Sequence, residues 1–239
     1  MRTSVKIMDI DVDMMTNDVF ILKMNEYLLD DKLHVIFFAS TDVLNRAVND
    51  ENYREVVDQA DLFLPGEEAL LSAHYVEVLE AGGMVVSCKS FGMMLENLWK
   101  EERSMYIIAK SEPEVSLLES WCKRMQPELR IVGSQAYDPE MEDAALVNEI
   151  NSQMPDMLLV DLESGMQEQW IIEHKGMLGA KICIAIGGVA GMILAEEKEI
   201  PGWVSKMHLE GVYDKLVKQQ KVKKDFRARI FRKQVVQYN

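Results

Sequence analysis

The chain has 239 residues, 48% of them hydrophobic and 28% charged, which is the composition of a soluble globular protein and excludes a fibre or a disordered polymer. Cys88, Cys122 and Cys183 lie far apart, with no CxxC pair and no neighbouring His pair, so neither a zinc site nor a disulfide framework is expected and the compartment reads as reducing. A formal net charge of −14 and the lack of any nucleic-acid motif argue against a nucleic-acid partner.

The N-terminal stretch MRTSVKIMDIDVD has no apolar signal core, and no window approaches the roughly 18 apolar residues of a spanning helix. The expectation is therefore a chain neither exported by a signal peptide nor integral to a membrane. From there the sequence alternates. Strands are expected at Val5–Ile10, Val35–Ala39, Asp61–Leu64, Met84–Ser87, Met105–Ala109, Arg130–Gly133, Met157–Asp161 and Lys181–Ile186, all short and rich in Val, Ile or Leu. Helices are expected at Asn17–Leu29, Asp42–Val48, Glu67–Leu79, Phe91–Glu101, Glu114–Met125, Asp143–Gln153 and Met166–Glu173, where apolar residues recur at steps of three and four. Ser111 and Asp143 are placed to cap helices, and Pro113 suits an early helical position.

Continuous apolar strands need cover on both faces, so the fold class is α/β: a Rossmann-like, doubly wound, mostly parallel sheet. No repeat or linker divides residues 1–200, and 201–239 reads as a basic helical appendage. From Val204 to Asn239 ten basic residues face three acidic ones, a net +7, which leaves −21 on the other 203 residues. Leu209, Val212, Tyr213 and Leu216, then Val222, Phe226 and Ile230, fall at helical spacing among those charges. A basic amphipathic helix of this kind suits an anionic membrane surface, with Lys215, Lys218, Lys223, Lys224, Arg229 and Arg232 facing the lipid.

In an open α/β sheet ligands bind beyond the carboxyl ends of the strands. Those ends hold Leu64-Pro-Gly-Glu-Glu68, Ser87–Gly92, Gly133–Tyr137, Asp161–Gln167 and Gly187–Gly191. Neither GxGxxG nor GxxxxGK[ST] occurs, so neither a standard dinucleotide site nor a P-loop is supported.

The succession DLFLPGEEAL (61–70), RIVGSQAY (130–137), MPDMLLVDLESGMQEQWI (154–171), CIAIGGVAG (183–191), IPGW (200–203) and HLEGVYDKL (208–216) resembles the WecG/TagA/CpsF family of glycosyltransferases. The QExWI piece, Gln167, Glu168, Trp170 and Ile171, and the LExxY piece, Leu209, Glu210 and Tyr213, are its most specific parts. The resemblance implies transfer of an N-acetylhexosamine, N-acetylmannosamine in type, from a UDP-sugar to a polyprenyl-diphosphate-linked sugar for cell-envelope polysaccharide. It places that reaction at the cytoplasmic membrane face, with no metal and no cofactor beyond the donor. It also implies oligomers, with itself or with a partner protein. Carried over by position, Gln167, Gly133, Tyr137, Gly187, Gly188 and Arg227 are the substrate-binding candidates.

The departures cluster at the site. Where the family has the Asp of PDGxG, its general base, this chain has Gly66, so the displaced carboxylates Glu67 and Glu68 become the catalytic candidates. GTD is replaced by Ser90-Phe91-Gly92, GxGxPxQE by Asp161-Leu-Glu-Ser-Gly-Met-Gln-Glu168, GGxFD by Gly187–Gly191, and the Arg of RAPxW is missing; the early TxN falls at Phe38-Ala39-Ser40. The alternative is a catalytically degenerate homologue, a pseudoenzyme acting as scaffold or regulatory partner at the membrane.

Overall fold

The computed structural model describes residues 3–67, 70, 87–187 and 202–218. An antiparallel hairpin, β1 (Thr3–Ile7) and β2 (Ile10–Met14), is followed by α1 (Asn17–Leu29), β3 (His34–Ala39), α2 (Thr41–Asn49), α3 (Glu51–Val57) and β4 (Leu62–Pro65). Then come α4 (Ser87–Lys100), β5 (Ser104–Ala109), α5 (Glu112–Met125), β6 (Arg130–Ala136), α6 (Asp143–Ser152), β7 (Met157–Asp161), α7 (Met166–His174) and β8 (Ile182–Ala185). A short α8 (Gly202–Lys206) and a helix α9 over 210–218 follow.

Six strands form one sheet in the order β4-β3-β8-β7-β5-β6, and every pairing is parallel. The pleat splits each strand between two cores. Val35, Phe37, Leu158, Val160, Cys183 and Ala185 point to a face covered by the hairpin, α2, α3, α6 and α7. Ile36, Phe38, Met157, Leu159, Ile182 and Ile184 point to the opposite face, under α1, α4 and α5. Burial on both faces explains why these strands read as unbroken apolar runs. The doubly wound α/β architecture expected from the sequence is the one observed.

Local chemistry corrects several expected boundaries. Val5–Ile10 is not one strand: Met8 and Asp9 both take positive φ, 54° and 63°, and turn the chain into the hairpin. The hairpin shields the edge strand, where the buried Asp13 carboxylate accepts the Phe63 N–H at 3.0 Å. Asp143 is no cap; it is the first residue of α6, and its carboxylate accepts the Trp170 indole N–H at 2.9 Å. Ser111 stands at the N-cap of α5 with Pro113 in the first turn, though its side chain makes no capping bond. Ser87 and the Ser90-Phe91-Gly92 segment lie in α4, not at a strand end, and the buried Ser90 hydroxyl donates to Asn17 at 2.6 Å. The rest of the expected strand Met84–Ser87, and most of the expected helix Glu67–Leu79, lie outside the described residues.

The root of the appendage packs on the body. Leu117 of α5, Val204 and Tyr213 form a small buried cluster, with Leu209, Val212, Leu216 and Val217 against it. The apolar stripe of 209–217 is thus turned onto α5, while Lys215 and Lys218 stay exposed.

Candidate functional site

The carboxyl ends of the sheet carry, in spatial order, Glu67 after β4, Thr41 after β3, Gly187 after β8, Asp161 to Gln167 after β7, Lys110 after β5 and Tyr137 after β6. The connection after β5 leaves toward β6 and that after β7 leaves toward β8, in opposite directions, so the crevice between β5 and β7 is a topological switch point.

At the β3–β4 end, Ser40 caps α2 by accepting the Val43 N–H, which places Thr41 in the first turn of the helix. The buried Thr41 hydroxyl donates to Glu67 Oε2 at 2.7 Å. Gly66 brings the two segments together: its N–H donates to the Ala39 carbonyl at 2.7 Å, and a Cβ built on it would lie 2.7 Å from that same oxygen. A carboxylate anchored through one oxygen by a hydroxyl keeps a fixed orientation, the geometric requirement for a general base.

Between β7 and β8 lies a buried polar knot. Gly165, at φ 97°, opens α7, and its N–H donates to Glu168 Oε2 at 2.5 Å. Gln167 Nε2 donates to Glu168 Oε1 at 2.8 Å, and Gln167 Oε1 accepts the Gly187 N–H at 2.9 Å. Gln167 is only 2% exposed and Glu168 fully buried. The Tyr53 ring reaches the same place from α3. Burial first, and the Glu168 carboxylate second, drive its phenol far above the ordinary range, while Arg46 opposes them. The Arg46 guanidinium lies 4.6 Å from the Tyr53 ring centroid and fills the space that a Cβ on Gly165 would need.

The switch-point crevice is crossed by an ion pair between Lys110 Nζ and Glu163 Oε1, above the buried end of β7 at Asp161. Burial lifts the Glu114 carboxyl above its usual range, Lys110 and Lys215 pull it down, and Glu163 raises it further. Lys215 therefore belongs to the charge cluster at the rim, and Lys218 pairs with Asp214 at 3.1 Å.

Gly133 is not at a strand end. It sits inside β6, where a Cβ would lie 2.5 Å from the Tyr106 ring, so its missing side chain makes room for Tyr106. Tyr137 does stand at the rim, its N–H bonded to the Ala109 carbonyl at 2.8 Å; burial raises its phenol, with Asp143 and Glu173 adding to the effect. Glu68, Gly188, Arg227, Lys223, Lys224, Arg229 and Arg232 lie outside the described residues. Thr41, Arg46, Tyr53 and Lys110 were not singled out from the sequence. Thr41 had a signal, as the second of the hydroxyl pair Ser40-Thr41 that follows an apolar strand, whereas Tyr53 belongs to a helix too short for its periodicity to register.

The Glycosyl transferase WecG/TagA/CpsF family model matches residues 5–223. The chain belongs to this family. Among its relatives is the N-acetylglucosaminyldiphosphoundecaprenol N-acetyl-beta-D-mannosaminyltransferase of Staphylococcus aureus (strain MRSA252), 18% identical over 89% of this chain and 84% of that protein. The enzyme of the same name from Bacillus subtilis (strain 168) is 21% identical, over 81% of this chain and 76% of its own length. That of Bacillus spizizenii is also 21% identical, over 78% and 72%. Within the family frame, Gly66, Asp161 and Glu163 hold positions where the resemblance placed an Asp and two glycines. Among the described residues no helix is long and apolar enough to cross a membrane, and no group of three or more His, Cys, Asp or Glu side chains is placed to hold a metal ion.

Proposed function

We propose that the protein is a cell-envelope glycosyltransferase that moves an N-acetylmannosamine-type sugar from a UDP-sugar to a polyprenyl-diphosphate-linked N-acetylglucosamine, with Glu67 as the general base. The Thr41–Glu67 pair carries the reading: it supplies an oriented carboxylate at the carboxyl rim, one residue past the position where the family acid is missing. The longer Glu side chain offsets part of that shift. A sugar hydroxyl attacks the anomeric carbon as Glu67 takes its proton, and UDP departs with the electron pair of the broken glycosyl–phosphate bond. The reading requires no cofactor and no metal. The activity for which the three relatives are named supports the acceptor. The basic appendage, with exposed Lys215 and Lys218 at its described root, supports peripheral attachment to the anionic inner face of the membrane.

A second reading, a degenerate homologue serving as scaffold or regulatory partner, is favoured by Asp161 and Glu163. They put two acids at the switch point where the family pattern has glycines, and Lys110, paired with Glu163, offsets only one of the two charges that a diphosphate would meet. Calorimetric titration with UDP and UDP-N-acetylmannosamine, beside flotation with anionic liposomes, separates the two. The enzyme binds both nucleotide and vesicle; the scaffold floats without binding nucleotide.

A further inference from the structure

The geometry points to Glu168 as a positioning residue: a buried carboxylate that holds Gln167 in the rotamer tying Gly187, just after β8, to the start of α7. The proposal rests on the glycosyltransferase reading for its functional consequence and on the hydrogen bonds alone for its structural one.

A carboxylate withdrawn wholly from water must be matched by donors. Glu168 turns one oxygen to the Gly165 N–H and the other to Gln167 Nε2. The first bond is half of a capping box, with the N3 carboxylate reaching back to the N-terminal amide of its own helix. The second has a different effect. An amide side chain can present either its oxygen or its nitrogen to a neighbour, and Glu168, which only accepts, fixes the choice by drawing the NH2 group toward itself. Gln167 Oε1 then has to face Gly187, and it accepts that residue's N–H. A Cβ on Gly187 would come 2.7 Å from Gln167 Nε2, so glycine permits this close approach. The relay Gly165–Glu168–Gln167–Gly187 thus ties Gly187, just after β8, to the N-terminus of α7. Gly187 was a substrate-binding candidate; on this view its backbone is set by Glu168, which itself touches no substrate.

Exchanging the two side chains tests the relay. In Gln167→Glu two carboxylates face each other and the relay breaks. In the double variant Gln167→Glu with Glu168→Gln every bond has a chemical equivalent: the new carboxylate at 167 accepts from Gly187, the new amide at 168 donates to that carboxylate, and the amide oxygen accepts from Gly165. Amide hydrogen exchange at Gly187, followed by mass spectrometry on the full chain, is the structural readout; titration with UDP is the functional one. Gln167→Glu and Glu168→Ala are expected to expose the Gly187 amide at least about tenfold. The double variant returns protection to within about threefold of wild type, a rescue that general loss of packing does not give. UDP affinity falls in Glu168→Ala, which leaves the Gln167 side chain itself in place. Exchange unchanged in Gln167→Glu, or a double variant as fast as the single, overturns the relay, and the double variant decides even if Glu168→Ala does not fold. UDP affinity unchanged while Gly187 is freed overturns the positioning role. If the wild type binds no UDP while the exchange pattern holds, the glycosyltransferase reading fails and the relay stands.

Discussion

Thr41 and Glu67 join the ends of two adjacent parallel strands by one hydrogen bond of 2.7 Å, from hydroxyl to carboxylate. The bond fixes the acid that the proposed chemistry uses. A hydrogen bond to a charged group contributes about 1.5–3 kcal/mol, so Thr41→Val lowers the rate of UDP release by about tenfold or more, with the larger effect in kcat. Thr41→Ser, which keeps the hydroxyl, stays near wild type. Steady-state kinetics of the two variants check this.

Gly66 cannot simply be returned to the family's Asp. A Cβ there would lie 2.7 Å from the Ala39 carbonyl oxygen, a backbone atom that moves only with β3. Gly66→Asp is expected to destabilise the fold by about 1–3 kcal/mol and to leave turnover no higher. Thermal unfolding shows this as a drop of about 2–4 °C per kcal/mol.

Leu117 anchors the root of the appendage. Replacing this buried side chain by Asp puts a charge into the cluster with Val204 and Tyr213 and releases 202–218 from α5. Each lost increment of about 1.4 kcal/mol in docking raises the open population about tenfold. Trypsin cleavage after Lys215 and Lys218 is expected to accelerate by at least that factor, with the body left folded.

Asp156 ties β5 to β7 at the amino edge of the sheet, accepting the Ser104 N–H and hydroxyl, both at 2.8 Å, and pairing with Arg103 at 3.3 Å. Burial on its own raises the carboxyl, but the Ser104 bonds and Arg103 outweigh it and hold the pKa below the ordinary value. A group depressed in the folded state stabilises above its unfolded pKa of about 3.9 and loses that contribution as pH falls through the folded value. Asp156→Asn therefore costs about 1 kcal/mol at about pH 7, after allowance for solvent screening, and the gap to wild type narrows below about pH 4. Urea unfolding at the two pH values measures it.

The sheet was legible in the sequence because both its faces are buried: runs such as Met157–Val160 have few other places to go. The hairpin was not, since its turn depends on positive φ at Met8 and Asp9, neither a glycine nor an asparagine. The rim was half legible. Sequence position brought Glu67, Gln167, Gly187 and Tyr137 to one edge, but Gly133 looked like a ligand glycine and proved to accommodate Tyr106, a contact with a residue far along the chain. Nor could spacing show that Gln167 turns inward to Glu168, because which face of a helix is buried depends on what packs against it, here Tyr53 and Arg46.

The central claim is that Glu67 acts as a base in sugar transfer. The direct measurement is UDP release from UDP-N-acetylmannosamine, with and without undecaprenyl-diphosphate-linked N-acetylglucosamine in anionic liposomes, for wild type and Glu67→Gln. The account predicts acceptor-dependent release that falls by about 10²- to 10⁴-fold in the variant. Release by Glu67→Gln at the wild-type rate, or none from wild type with both substrates present, would contradict it.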